Sequence, residues 1–303
     1  MKFRMMSRDI GTIQHFLNIL QGIAYLSKNF VLRISNTYMY CIINERVFAG
    51  SSLFWCQIDY KSLFFENAME GLNQENNEIL LEVVSDYLIK SLRQCATCRS
   101  VKIKLMKNRV NDPCLSIEIE QSSEIDKTRF VTHEVPVRIV PLRIWNEYIM
   151  QPQIEYDVSI YLPNLKVFRT ILDKMKNLTG FLIITANDNG ELLLEIRNDQ
   201  VKVRTQFSNL GQPVWKLSKM PCPSLDTIDM ISDITSCRGR SSTTANVKSA
   251  SVTVDIKRLF QVVNSIKIIP QKLVCNVVDQ RCVQIYVLLH DVVIHSIIPG
   301  IIV

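Results

Sequence analysis

The sequence lacks most of the local signatures from which catalytic sites are built. Nine glycines and ten prolines in 303 residues exclude collagen-like and linker-dominated chains. No glycine-rich phosphate loop, dinucleotide fingerprint or serine-elbow motif occurs. The four histidines, His15, His133, His290 and His295, are far apart. His290 and His295 stand five apart in strand-like sequence, so they are expected on opposite faces. Long apolar runs are missing too. The most apolar stretch, Val283 to Val303, is broken by Gln284, His290, Asp291, His295, Ser296 and Pro299, short of the roughly 18 uninterrupted residues of a membrane span. The opening MKFRMMSRDIGTIQHF has no apolar h-region and no small-residue cleavage site, so it does not read as a signal peptide.

What is present suits an ordinary globular chain of two domains, 47% hydrophobic and 21% charged. Nine scattered cysteines in a chain this long read as reduced, intracellular thiols. Cys95-Ala96-Thr97-Cys98 is the one CxxC, and no second ligand pair follows at zinc spacing. It reads as two ordinary thiols, and no metal site, cofactor or catalytic constellation is expected. The net charge of +6 suggests an acidic partner without naming one.

The informative pattern is internal repetition. Four segments with helical periodicity each follow a strand-like run and precede two or three more, giving an α+β chain of strand–helix–strands units. The first helix is capped by Asp9 and buries Ile13, Phe16, Leu17 and Leu20; the second is capped by Ser85, with Leu88, Ile89 and Leu92 inward. The third has Pro163 in its first turn and the stripe Leu165, Phe168, Leu172, Met175; the fourth is capped by Asp255, with Leu259, Val262, Val263 and Ile266 inward. These starts lie roughly 76, 78 and 92 residues apart. Asn189-Gly190, between FLIITAN and ELLLEIR, is a hairpin signal, a better reading of Asp188–Glu191 than a calcium loop. The long third interval holds an inserted loop at about 212–248. Within it, Arg238-Gly239-Arg240-Ser241-Ser242 is either a kinase target or a solubilising loop. Two units pair per domain, giving 1–135 and 157–303 joined by an extended connector, 136–156, that holds Pro136, Pro141 and Pro152.

Opposite the apolar stripes the helices present mostly cations. The second offers Lys90 and Arg93, the third Lys166, Arg169 and Lys176 with Asp173, the fourth Lys257 and Arg258, and the first Asn18, Gln21 and Lys28. On one helix alone, a solvated face with snorkelling stems explains such residues. Repeated four times on a shared surface, they add up to a basic stripe suited to phosphates.

The residues then show a resemblance. MKFR, ENNEILLEV from Glu75, RFVTHEVPVRIVPLRIW from Arg129, DVSIYLPNLK, GELLLEI from Gly190, LVCNVVD from Leu273 and the closing IIPG resemble the Hus family of nine-one-one checkpoint-clamp subunits. These are distant relatives of the replicative sliding clamps of the proliferating-cell-nuclear-antigen type. The resemblance covers almost the whole chain except the insertion, with a weaker match from Met5 to Gln14 and at the far C-terminus.

The resemblance implies a DNA-clamp fold, with antiparallel sheets outside and helices lining the ring interior. It also implies a non-catalytic, nuclear subunit (with a cytoplasmic pool) of a heterotrimer with two sister clamp subunits. A checkpoint clamp-loader complex would place the ring on damaged double-stranded DNA without sequence specificity, as a platform for checkpoint signalling and repair enzymes. The alternative is a homotrimeric, replicative-type clamp serving polymerases. On this reading Lys90, Arg93, Lys166, Arg169, Lys257 and Arg258 face DNA. The strand edges Lys127–Val135 and Gln200–Phe207, with Phe130, Val131, Thr132, Val201, Val203 and Thr205, close the ring unless a loop of the same chain covers them. Ile139, Pro141 and Trp145 either line a groove for partner peptides or, in the case of Trp145, anchor the connector.

Overall fold

The computed structural model describes residues 1–44, 52–73, 77–121, 129–149, 154–215, 231–234 and 247–301. Two compact units emerge. The first comprises Met1–Ile43, Trp55–Met150 and Ser265–Ile268, and the second Asn44–Phe54, Gln151–Asn264 and Ile269–Val303.

The first unit is built from β1 (Lys2–Ser7), α1 (Ile10–Leu26), β2 (Asn29–Ile34), β3 (Met39–Asn44), β4 (Leu53–Ile58), the single turn α2 (Tyr60–Leu63) and β5 (Glu66–Glu70). Then come β6 (Ile79–Val84), α3 (Ser85–Leu92), β7 (Cys98–Lys107), β8 (Pro113–Gln121), β9 (Arg129–Ile139) and the turn α4 (Asn146–Ile149). The second unit holds β10 (Val158–Tyr161), α5 (Leu165–Met175), β11 (Phe181–Asn187), β12 (Leu192–Arg197), β13 (Lys202–Phe207), β14 (Gln212–Trp215) and β15 (Ile231–Ile234). It closes with β16 (Ser249–Asp255), α6 (Ile256–Ser265), β17 (Lys272–Val278), β18 (Cys282–Leu288) and β19 (Val292–Pro299).

The fourfold unit is present as strand, helix and three strands: β1-α1-β2-β3-β4, β6-α3-β7-β8-β9, β10-α5-β11-β12-β13 and β16-α6-β17-β18-β19. The pairing repeats as well. Strand order β6-β2-β3-β4 in the first unit matches β16-β11-β12-β13 in the second, and β1-β7-β8-β9 matches β10-β17-β18-β19. β9 continues onto β6 at Val137–Ile139, as β19 is continued onto β16 by the Val254–Gly300 bridge. Among the described residues every pairing with a resolved register is antiparallel.

Local chemistry explains the helices. Asp9 accepts hydrogen bonds from the Gly11 and Thr12 amides, capping α1, and Asp255 accepts from the Lys257 and Arg258 amides, capping α6. The buried faces follow the expected periodicity: Ile13, Phe16, Leu17 and Leu20 on α1, Leu88, Ile89 and Leu92 on α3, Phe168, Leu172 and Met175 on α5, where Leu165 is only half-buried, and Leu259, Val262, Val263 and Ile266 beneath α6 and its C-terminal end. Each such large side chain contributes about 1.5–3 kcal/mol of burial. Gly190 takes φ +77° in the β11–β12 hairpin, as its turn requires.

Several local expectations change. Ser85 does not cap α3. It lies buried inside the helix start, and its hydroxyl donates to the Ser27 and Lys28 carbonyls at 2.9 Å. Pro163 lies before α5 rather than in its first turn, and Asn164 caps the helix by accepting from the Lys166 amide. Pro136 is strand rather than connector: Val135 and Val137 are both buried, and their alternation carries β9 through to Ile139. The described part of the connector holds a 3-10 turn at Leu142–Ile144 followed by α4 rather than an extended chain, and residues 150–153, with Pro152, lie outside the described residues. The insertion begins and continues in the β14–β15 ribbon, with Gln212 opposite Ile234; residues 216–230 and 235–246, including Arg238 to Ser242, lie outside the described residues. His290 sits exposed in the β18–β19 turn, whereas His295 is buried in β19 and stacked on Tyr286 with ring centroids 4.2 Å apart. Among the described residues no helix is long and apolar enough to cross a membrane.

Candidate functional site

Two kinds of feature stand out within each unit, helix cations and strand edges. On the helices, Lys90 and Arg93 are exposed at the end of α3, Lys166 on α5, and Lys257 and Arg258 at the start of α6. Arg169 differs from these five. It is half-buried, and its Nε donates to the Val263 carbonyl at 3.0 Å. That carbonyl lies in the last turn of α6, where no intrahelical amide remains to meet it and a cation is favoured. Burial also holds the Arg169 pKa below the ordinary arginine value. Arg169 therefore braces α5 against α6 rather than standing free toward a ligand.

Lys176 is similarly engaged. Its ammonium lies 3.7 Å from the Phe260 ring centroid and 2.7 Å from the Asp173 carboxylate. α1 departs from the basic pattern altogether. Its helical residues carry no Lys, Arg, Asp or Glu, and it exposes Ile10, Gln14, Asn18 and Tyr25.

At the edges, β13 pairs with β12 on one side, and among the described residues no strand pairs on the other. Val203 and Thr205 are half-buried and share a face with Ile196 and Leu194, their cross-strand partners, while Lys202, Arg204 and Gln206 face solvent. Val201 lies just before the strand, not in it, because the Asn198 side chain accepts from the Gln200 and Val201 amides and closes a turn. β9 pairs with β8 along Arg129–Pro136 and with β6 only at Val137–Ile139, so the first part of its second edge has no described strand beside it. Phe130 is 69% exposed there, with Thr132 exposed and Val131 half-buried. Lys127 and Thr128 lie outside the described residues.

The groove expectation is corrected at one residue. Trp145 is only 3% exposed and its Nε1 donates to the Val140 carbonyl at 2.8 Å, so it anchors the turn and offers no ring to a partner. Ile139 and Pro141 are exposed, and Leu142, which the sequence did not single out, joins them.

The buried chemistry is quiet. Cys95 and Cys98 are both buried, and burial pushes the Cys95 thiol up to about 12. Among the described residues no group of three His, Cys, Asp or Glu side chains could hold a metal ion. The other feature that sequence reasoning missed is on β12 and β13. There the nearly buried Glu195 is gripped by Arg197 and Arg204, with Lys202 3.5 Å away. Burial works to raise the Glu195 pKa, and the Arg204 and Arg197 guanidinium groups outweigh it and hold the carboxyl below its ordinary value. The visible signal was an E-x-R run facing a K-x-R run across a hairpin.

Comparison with known proteins gives a family and a fold. The profile of the family described as Hus1-like protein matches residues 1–302. The chain is 34% identical over 302 residues to the human checkpoint protein HUS1, covering 99% of each chain. It is 31% identical over 160 residues to the checkpoint protein hus1 of Schizosaccharomyces pombe, covering 52% of this chain and 54% of that one. In structure it is similar to the proliferating cellular nuclear antigen of Entamoeba histolytica, with TM-score 0.64, 13% identity and 99% of each chain covered, a likeness of fold.

Proposed function

Since the chain belongs to the Hus1-like family, we propose that it is a DNA-damage checkpoint clamp subunit, non-catalytic, forming one third of a heterotrimeric ring with two sister clamp subunits. A checkpoint clamp-loader complex opens the ring onto damaged double-stranded DNA in the nucleus, where the loaded ring serves as a platform for checkpoint signalling and repair enzymes. The observation that carries this reading is a chain matched to the Hus1-like family over residues 1–302 in which, among the described residues, β13 and the first part of β9 each have an edge with no strand beside it.

The physics of the role is undemanding. An encircling ring is retained by topology, so it needs neither tight nor base-specific contacts. Exposed Lys90, Arg93, Lys166, Lys257 and Arg258 supply the loose, salt-dependent attraction to phosphates that sliding permits. The open edges of β9 and β13 supply backbone donors and acceptors for closure by strand addition. Ile139, Pro141 and Leu142 offer an exposed apolar strip to partner peptides.

Light scattering tests this. The purified chain is expected to run as a monomer and to form a complex of three different subunits when mixed with its two sisters. A stable self-trimer would replace this reading with the homotrimeric, polymerase-serving clamp. A chain that ignores both sisters would remove the ring altogether.

A further inference from the structure

On the solvent face of the β12–β13 hairpin, three cations are paired, among the described residues, with a single acid. The register sets Glu195 opposite Arg204 and Arg197 opposite Lys202. Glu195 divides its two oxygens, Oε1 accepting from Arg197 Nε and Oε2 from Arg204 Nε, with Lys202 Nζ 3.5 Å from Oε1. The carboxylate is 5% exposed, whereas the Arg197 and Arg204 side chains remain 58% and 55% exposed. Each guanidinium is thus fixed through its Nε, and among the described residues the terminal amino groups of both have no partner. Three cations share one acid, and two of them, Lys202 and Arg204, sit on the open edge strand.

A strand added to β13 would take those two cations out of water. One carboxylate cannot neutralise three cations, and burying unbalanced charge is costly. Backbone pairing offers no remedy, because every sequence makes the same ladder. The balance has to come from side chains on the incoming strand, at positions that share the solvent face of β13. A second copy of this chain is poorly equipped. The solvent-face positions of β9 are Phe130, Thr132 and Glu134, opposite Glu120, Glu118 and Ser116 of β8. The strand itself would bring one carboxylate, Glu134, and an exposed phenyl ring; of the two carboxylates behind it, Glu118 is already paired with Lys102 and Lys104 and Glu120 accepts from the Ser100 hydroxyl.

We propose that β13 is closed by an acidic strand of one sister subunit, carrying carboxylates at the solvent-face positions beside Lys202 and Arg204, and that this charge match excludes a second copy of this chain. Glu195 acts as the positioning residue that aims the two guanidinium groups. The inference rests on the ring-subunit reading above and deepens it by giving the chemistry of one closure and the reason for a mixed ring.

The test uses the full chain and its two sister subunits, with each pairwise affinity measured by biolayer interferometry at low and high salt. Two variants are compared with the natural chain, Arg197→Glu with Arg204→Glu, and Lys202→Glu alone, which breaks no short bond to Glu195. The double reversal is expected to weaken binding of one sister at least about tenfold and to erase the salt dependence of that contact. Lys202→Glu should weaken the same sister less, and binding of the other sister, through β9, should be unchanged in both, which also certifies folding. Equal affinities for both sisters in all three proteins would overturn this proposal alone. Variants that bind both sisters normally and lose only affinity for duplex DNA would overturn it in favour of a phosphate-facing role. A natural chain that binds neither sister would overturn the ring reading and this proposal with it.

Discussion

Removing the exposed helix cations together tests where this protein meets DNA. The variant replaces Lys90, Arg93, Lys166, Lys257 and Arg258 with alanine, all five being solvent-exposed. Each phosphate neutralised by a cation contributes about 0.9 to the slope of log affinity against log salt on duplex DNA. If all five meet phosphates, the assembled ring loses about 4.5 from that slope, which makes its fall in affinity between about 50 and 200 mM salt roughly 500-fold smaller. Arg169→Gln is the internal contrast. Its Nε is committed to the Val263 carbonyl, so the slope should hold while stability drops by about 1–3 kcal/mol for the stranded acceptor. The assay is fluorescence anisotropy of the assembled ring on a labelled duplex across a salt series, with a thermal melt of each variant. An unchanged slope in the five-residue variant would refute the helix-face assignment. A loss of slope in Arg169→Gln with no change in melting would refute the bracing role.

Three further outcomes are expected. His295, buried against Tyr286, has its pKa lowered by desolvation to about 3. Below pH 6.5 the unfolded chain therefore binds a proton that the folded one refuses. Stability should fall as pH drops through that window, by about 2 kcal/mol at pH 5, and denaturant titrations of His295→Phe should show this slope reduced. Gly190→Ala should lower the melting temperature, since φ is +77° and a Cβ would lie 2.4 Å from the Leu210 carbonyl oxygen, together costing about 2 kcal/mol or more. An unaltered melt would refute that geometry. Trp145→Phe should cost about 1–3 kcal/mol by stranding the Val140 carbonyl, read by chemical denaturation, while leaving peptide capture at the Ile139–Leu142 strip unchanged. Lost capture at normal stability would restore Trp145 to the groove.

What could be read from the chain was whatever is encoded over a few residues. Asp9 and Asp255 announce their helices because a cap bonds amides two and three residues ahead. Phe168, Leu172 and Met175 reveal a buried stripe because helical spacing returns them to one face. Asn189-Gly190 marks its hairpin because the turn needs a left-handed residue. Ser85 shows where this stops. Its sequence context is that of a cap, yet its hydroxyl serves carbonyls at Ser27 and Lys28, more than fifty residues earlier, which no local rule could reveal. Val201 failed for a local reason: a turn closed by Asn198 outweighed an alternating pattern.

The functional surfaces divide the same way. By itself the sequence determined the fourfold unit, the four amphipathic helices, the basic character of three of them and the absence of familiar catalytic motifs, because each depends on period or composition along the chain. Only the tertiary structure decided which cations are exposed. Arg169 and Lys166 are both basic residues of α5, and the difference between them is that the Val263 carbonyl and the packing of α6 lie within reach of one. It also decided that Trp145 is an anchor, that Phe130 is bare, and that Glu195 lies beneath Arg197, Lys202 and Arg204. Exposure, open edges and charge balance belong to pairing register and to neighbours distant in sequence, and a neighbour exists only once the chain has folded.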